Sequence, residues 1–291
     1  MTRKLFILLF GFLLAVYLFF CPCVNVGLYQ CLAIHPTKEP IDLFNPYEMG
    51  AYLGTHRFFE VKGSDGRTAT LHGIYFKAKN PRGTVLFSKG NALCLKRVLG
   101  ARQLIVLLDL DYDLFLYDYE GFGASLGTAD YRKLGNDGVA AYDFLKHTLK
   151  KDKIFLYGIS MGTGVSCYIA ARRPVLGLIL DSPFISPIYT LKSWAPFLSI
   201  YPDFLFPAPH YDNEKYLTGK HAPTLIFTMG LDNTTGPEQG LRLAKVASEP
   251  KESLFLAHSQ HGWIDSEEEA AFVDKLESFL NNIGNKSALP S

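Results

Sequence analysis

The chain alternates short apolar runs with segments in which apolar residues recur every three or four positions, and it opens on a run with no such interruption. After Arg3 and Lys4, no Asp, Glu, Lys or Arg occurs until Lys38; residues 5–20 are almost wholly apolar, and 21–32 carry few polar side chains. A helix needs roughly 20 apolar residues to cross a bilayer. Residues 1–32 are therefore expected to form an N-terminal membrane anchor, with a signal segment as the alternative, and Pro22 should end or kink the helix. No small-residue cleavage site of the Ala-x-Ala kind follows the run, which favours an uncleaved anchor. Arg3 and Lys4 ahead of it predict a cytoplasmic N-terminus and a domain on the far side. Residues 33–57, with Pro36, Pro40 and Pro46, read as an irregular linker.

From residue 58 the pattern is that of an α/β domain reaching 284. Strands are predicted at 58–61 and 69–76 around the turn Gly63-Ser64-Asp65-Gly66, then at 84–87, 114–117, 154–157, 176–180, 224–228 and 253–257. Helical spacing links Leu95, Val98, Leu99, Leu104 and Ile105, and helices are also predicted at 134–149 and 160–173. A last helix should be capped by Asp265 or Ser266 and stop at Gly284. Such alternation implies a mostly parallel sheet with helices on both faces. Residues 183–220 separate two strands by far more than a usual loop of about 2–6 residues. Residues 285–291 read as a frayed tail.

Composition narrows the function. With 29 basic and 28 acidic residues and no basic cluster, nucleic acid is not an expected partner. The five cysteines have no zinc-type spacing; Cys21 and Cys23 sit where acyl chains could be attached near a membrane face, or are simply small apolar residues. Neither a metal nor an organic cofactor is implied, and the oligomeric state is not legible.

The chemistry concentrates at Gly158-Ile159-Ser160-Met161-Gly162. A Gly-x-Ser-x-Gly motif between a strand and a helix describes a sharp turn that lifts the serine oxygen above the sheet edge. A serine hydroxyl needs a base, and the chain order expected of such a site is serine, acid, histidine. His261, in the loop before the last helix, is the candidate base, with His258 as its rival. Asp232, just after the strand at 224–228, is the candidate acid, and Asp181 is the alternative.

With these residues placed, the chain resembles the α/β-hydrolase superfamily from about residue 58 to 283, and within it the membrane-anchored branch that includes acyl-protein thioesterases and lipid-type esterases. The segments that carry the resemblance are Leu86-Phe87-Ser88-Lys89-Gly90-Asn91-Ala92, Tyr117-Asp118-Tyr119-Glu120-Gly121-Phe122-Gly123-Ala124-Ser125, the nucleophile turn, Gly230-Leu231-Asp232 and His261. The resemblance implies a serine hydrolase whose oxyanion hole is made by the backbone N–H groups of Asn91 and Met161, with residues 183–220 as a small cap over the site. Two departures stand out: Lys89 replaces a usual histidine, and the acid segment is one residue shorter. The expected activity is hydrolysis of an acyl ester or thioester, on a small-molecule, lipid-like or lipidated substrate at a membrane. The competing expectations are a serine peptidase acting on short peptides and a non-catalytic membrane-tethered binding protein.

Overall fold

The computed structural model describes residues 3–63 and 66–286, with side chains through 284; Ser64 and Asp65 of the expected turn, and residues 287–291 of the expected tail, lie outside the described residues. In chain order the elements are α1 (Arg3–Phe20), α2 (Val26–Ala33), β1 (Tyr47–Met49), β2 (Tyr52–Lys62), β3 (Thr68–Phe76), β4 (Gly83–Ser88), α3 (Leu95–Val98), α4 (Arg102–Asp109), β5 (Tyr112–Tyr117), α5 (Leu134–Asp143), β6 (Ile154–Ile159), α6 (Met161–Ala170), β7 (Leu178–Asp181), α7 (Pro187–Trp194), α8 (Asn213–Leu217), β8 (Thr224–Met229), α9 (Pro237–Val246), β9 (Lys251–Leu256) and α10 (Glu269–Lys286). The strands form one sheet in the order β1-β2-β3-β5-β4-β6-β7-β8-β9. Pairing is antiparallel from β1 through β3 to β5, and parallel from β5 through β4 to β9.

Side chains of a strand alternate between the sheet's two faces, and the buried residues divide accordingly. Leu86, Phe115, Leu156, Leu180 and Ile226 pack on one face with residues of α2, α5, α6, α7 and α9. Their neighbours Val85, Phe87, Leu114, Leu116, Phe155, Tyr157, Ile179, Leu225 and Phe227 pack on the other with α3, α4 and α10. The central strands are apolar on both sides because both sides are covered, which is why they read as continuous apolar runs.

The structure corrects three boundaries. Residues 33–57 are not wholly irregular: β1 and the first half of β2 lie there, paired with each other and with β3. Exposed and half-exposed side chains alternate irregularly along β2, so its apolar signal is weak. The last helix begins at Glu269, not at Asp265 or Ser266, because Asp265 instead accepts the Glu267 amide in a preceding turn at 2.9 Å. It also runs through Gly284, where space around the backbone is open enough for the helix to continue.

The third boundary lies within residues 1–32. All described side chains of α1 are exposed, and its mean hydropathy is 2.1. By contrast, α2 belongs to the domain. Asn25 caps it by accepting the Leu28 amide at 3.1 Å. Tyr29 is buried edge-on against Tyr131 and Phe206. Gln30 donates to Asp130 at 2.7 Å and accepts the Tyr131 amide at 2.8 Å.

In the cap segment, Ser186 caps α7 by accepting the Tyr189 amide at 3.1 Å, and Pro187 takes the first helical position, where its missing N–H costs nothing. Two short 3₁₀ turns and α8 complete the segment. A chain beginning at Asn25 should therefore keep the thermal stability of the domain, whereas one beginning at Ala33 should lose about 3 kcal/mol or more, the scale of deleting one large buried aromatic. Thermal melts of the two chains, in the same detergent, check this; equal midpoints would show that α2 is not part of the folded unit.

Candidate active site

Ser160 stands where β6 turns into α6, with φ +53° and ψ −122°. A residue with a Cβ rarely adopts that conformation, and it is held by its surroundings. The Ser160 amide donates to the Asp181 carbonyl at 3.0 Å, fixing the turn to β7. A Cβ at Gly158 would run into the Gly162 carbonyl, and one at Gly162 into the carbonyl of Ser88. Only glycine allows this turn and the end of β4 to approach so closely. Met161 opens α6, so its N–H belongs to the first turn, which has no intrahelical acceptor and carries the positive end of the helix dipole.

Asn91 lies in the loop after β4. Its side-chain oxygen accepts the His35 and Ala92 amides, each at 2.9 Å, and its side-chain nitrogen donates to the Ala33 carbonyl at 3.2 Å. Asn91, Ser160 and Met161 line a cavity of about 110 Å³ that runs between α2 and α7, walled by Leu32, Phe184, Leu191 and Trp194. Asn91, Ser160 and His261 also line an open cleft of about 970 Å³ on the other side.

Asp232 accepts a hydrogen bond from His261 Nδ1 at 2.8 Å. It also accepts the amides of Thr234 and Thr235, at 2.8 and 2.9 Å, and the Thr235 hydroxyl at 2.7 Å. Burial alone would raise the Asp232 carboxyl, but the hydrogen bond and charge of His261, with the Thr235 donors, bring it down to about 2. The rival histidine, His258, is exposed, and its backbone amide donates to Glu268 at 3.1 Å.

Asp181 is fully buried at the end of β7, and its donors are the Tyr157 hydroxyl at 2.7 Å, the Ser182 hydroxyl at 2.9 Å and the Gln103 amide at 3.3 Å. Burial pushes its carboxyl up. The same Ser182 oxygen accepts the Gly262 amide at 3.0 Å, and Gln103 donates to the Gly262 carbonyl at 3.0 Å. Asp181 thus anchors the residue after His261 from below without bonding the imidazole.

Sequence reasoning missed Thr234, Thr235, Ser182 and Gln103. The run Asp232-Asn233-Thr234-Thr235 does carry a signal, because an aspartate bonding the amides two and three residues on is a common turn. Gln103 gives none, since it lies far from Ser160 in sequence, on α4.

The family described as serine aminopeptidase, S33, matches residues 79–218. An uncharacterized protein of Mycobacterium tuberculosis is 28% identical over 198 residues, 67% of this chain and 69% of that protein. The alpha/beta hydrolase domain-containing protein 17B of Homo sapiens is 29% identical over 215 residues, 69% of this chain and 67% of that protein. The alpha/beta hydrolase domain-containing protein aho-3 of Caenorhabditis elegans is 30% identical over 209 residues, covering 69% of this chain and 58% of that protein. Among solved structures, an esterase of Pyrococcus furiosus superposes with a TM-score of 0.65 at 17% identity, over 86% of this chain and 98% of its own.

Lys89, at the head of the Asn91 loop, is fully buried. Its ammonium sits 4.0 Å above the Phe122 ring and 4.4 Å from that of Tyr119. Asp118 is 3.6 Å away, close enough for an ion pair but too far for a hydrogen bond. Asp118 in turn neighbours buried His72 at 3.9 Å, which is bonded to His56 at 2.8 Å. Burial lowers Lys89 from its ordinary 10.5 to about 8, against the opposing pull of Asp118, Cys94 and Asp137. Between those two values the unfolded chain holds a proton that the folded chain has released, so folding gains stability as pH rises through that window. Thermal midpoints from pH 7.5 to 10 should therefore rise for the native protein relative to Lys89→Met; parallel curves would show that the charge is not opposed by burial.

Proposed function

We propose that this chain, which belongs to the α/β-hydrolase superfamily and is a hydrolase of the esterase type, cleaves acyl esters or thioesters with Ser160 as nucleophile, His261 as base and Asp232 as acid. The observation that carries the reading is the Asp232–His261 hydrogen bond, beside a cleft that His261 and Ser160 both line. Asp232, ionised well below neutral pH, holds Nδ1 protonated and leaves Nε2 free to accept the Ser160 proton. The serine oxygen then bonds to the substrate carbonyl carbon. The carbonyl electron pair moves onto oxygen, where the Asn91 and Met161 amides would receive it. His261 returns the proton to the departing alcohol or thiol as the old bond breaks. Water, deprotonated by the same imidazole, attacks the acyl-serine, and the acid leaves with Ser160 restored.

The apolar cavity between α2 and α7 supports an acyl group as the part of the substrate that is held, since its walls offer little for a charged terminus. This favours an acyl substrate over a short peptide, whose amine would need an acidic partner near Ser160. The exposed apolar α1 supports an anchored protein and hence a lipid-like or lipidated substrate. In this proposal α1 is a single span with a cytoplasmic N-terminus, the catalytic domain that starts at α2 lies on the far side, and residues 183–220 are its cap.

Ser160→Ala should abolish labelling by a fluorophosphonate probe while leaving the melt unchanged, and wild-type labelling of that variant would remove Ser160 from the role. Loss of labelling-competent serine separates an enzyme from a binding protein on the same scaffold. His261→Ala should cost as much turnover as Ser160→Ala, and Asp232→Asn roughly 10⁴-fold. Asp181→Asn should lower stability more than turnover; if it proves the more damaging to turnover of folded protein, the acid is Asp181.

The cavity gives a second expectation. Leu191→Trp should narrow it and depress kcat/KM for long-chain esters and thioesters while sparing acetyl esters. Equal loss on a chain-length panel would place the acyl group in the open cleft instead, and preference for aminoacyl amides on the same panel would favour the peptidase.

A further inference from the structure

The cap carries an exposed apolar face. Trp194, Phe197, Ile200 and Phe204 are all about half exposed or more, Phe204 at 78%. Beside them Lys192 pairs with Asp203 at 2.6 Å. The face is continuous with α1. The Phe197 ring meets Phe20 edge-on at 5.4 Å, and the Tyr201 ring lies 4.8 Å from Tyr17. The Tyr201 hydroxyl donates to the Tyr17 carbonyl at 2.6 Å.

Those contacts fix a height. Phe20 ends α1, and Tyr17 lies about 4.5 Å before it at 1.5 Å per residue. A helix of 18 residues is about 27 Å long, close to the roughly 30 Å of a hydrocarbon core. A cap that touches the last turn of such a helix stands at the level where acyl chains meet headgroups. Its exposed aromatic side chains are of the kind that settle there. Trp194 belongs to both surfaces: it is exposed on this face and also lines the cavity that ends at Ser160.

We propose that the face formed by Trp194, Phe197, Ile200 and Phe204 is seated in the interfacial layer of the same bilayer that holds α1, so that the cavity opens to acyl chains of that bilayer past Trp194. This rests on the reading of α1 as a membrane span and deepens the reading of the cavity as an acyl site. It makes the bilayer itself, and not a soluble carrier, the source of substrate. The docked area adds apolar burial to that of the helix and sets the domain's tilt, which a lone span would leave free.

The chain has two tryptophans, so each can be followed alone. The full-length Trp263→Phe protein, reconstituted in phosphatidylcholine vesicles, should show blue-shifted Trp194 emission. That emission should be quenched by lipids brominated on the acyl chains and resist iodide in the buffer. The full-length Trp194→Phe protein, reporting on Trp263, should behave in the opposite way. If the protein stays in the vesicles after alkaline carbonate but Trp194 is open to iodide and not to bromolipid, the docking is wrong while the span stands. If Trp194 is shielded from both quenchers, a second protein copy covers the face and the proposal falls. Failure to partition into vesicles at all would overturn span and docking together.

The variant Phe197→Asp/Ile200→Asp/Phe204→Asp adds a readout on turnover. It should keep its rate on a soluble short-chain ester. On a long-chain ester resident in the vesicles the rate should fall by about one to two orders of magnitude, as expected when the high effective concentration of acyl chains at the cavity mouth is lost while α1 still holds the protein on the vesicle. Equal rates of variant and wild type on the vesicle substrate would overturn the proposal even if carbonate extraction supports the span.

Discussion

The close crossing of the β6–α6 turn over the end of β4 constrains everything around the site. Gly162 lies against the Ser88 carbonyl, and Gly158 lies against Gly162. Nothing larger than hydrogen fits at either place, so the chain between them must bend sharply, and Ser160 takes the positive φ that the bend requires. The two central parallel strands set this distance, and they are held by packing on both faces of the sheet. The strain at Ser160 is thus sustained by the core beneath it, and relaxing it would mean parting β4 from β6.

Two aspartates, one ending β7 and one three residues past the end of β8, meet different surroundings. Asp232 faces an imidazole and three donors from the turn that follows it, and its carboxyl is driven down. Asp181 is sealed beneath the His261 loop among neutral donors, and burial drives it up. Through Ser182 and Gln103 it holds Gly262 at φ +65°, and so sets the path of the backbone next to the imidazole. One carboxylate orients the ring and the other orients the loop that carries it.

Much of this was legible in the sequence because strands buried on both faces leave uninterrupted apolar runs, as at 154–157 and 224–228. The glycines around Ser160 were legible because few other arrangements demand glycine at both positions. β1 and the start of β2 were not, because a half-exposed edge keeps only a broken alternation. The role of α2 was hidden by its neighbour: Tyr29 and Gln30 lie close behind an apolar run, and hydropathy does not distinguish a side chain facing lipid from one facing Tyr131. The Lys89 site was visible as an oddity only, since Asp118, His72 and His56 reach it from separate strands and loops. Gln103 is the clearest limit, as its contacts at Asp181 and Gly262 join segments that only the fold brings together.

The attachment of the N-terminal segment to the domain leaves very little slack. Tyr17 and Phe20 touch the cap, Tyr29 is buried, and Ala33 and His35 are held by Asn91. If α1 spans a bilayer and Ser160 is the nucleophile, as proposed, the serine cannot swing away on a leash to sample the surrounding solution. Its reach is that of a fixed arm at one altitude, and encounters become a search in two dimensions. Turnover would then follow the number of substrate molecules per unit area of membrane, so that widening the membrane at constant substrate slows the reaction, while crowding substrate and protein into one patch speeds it without any change in the total amount of either.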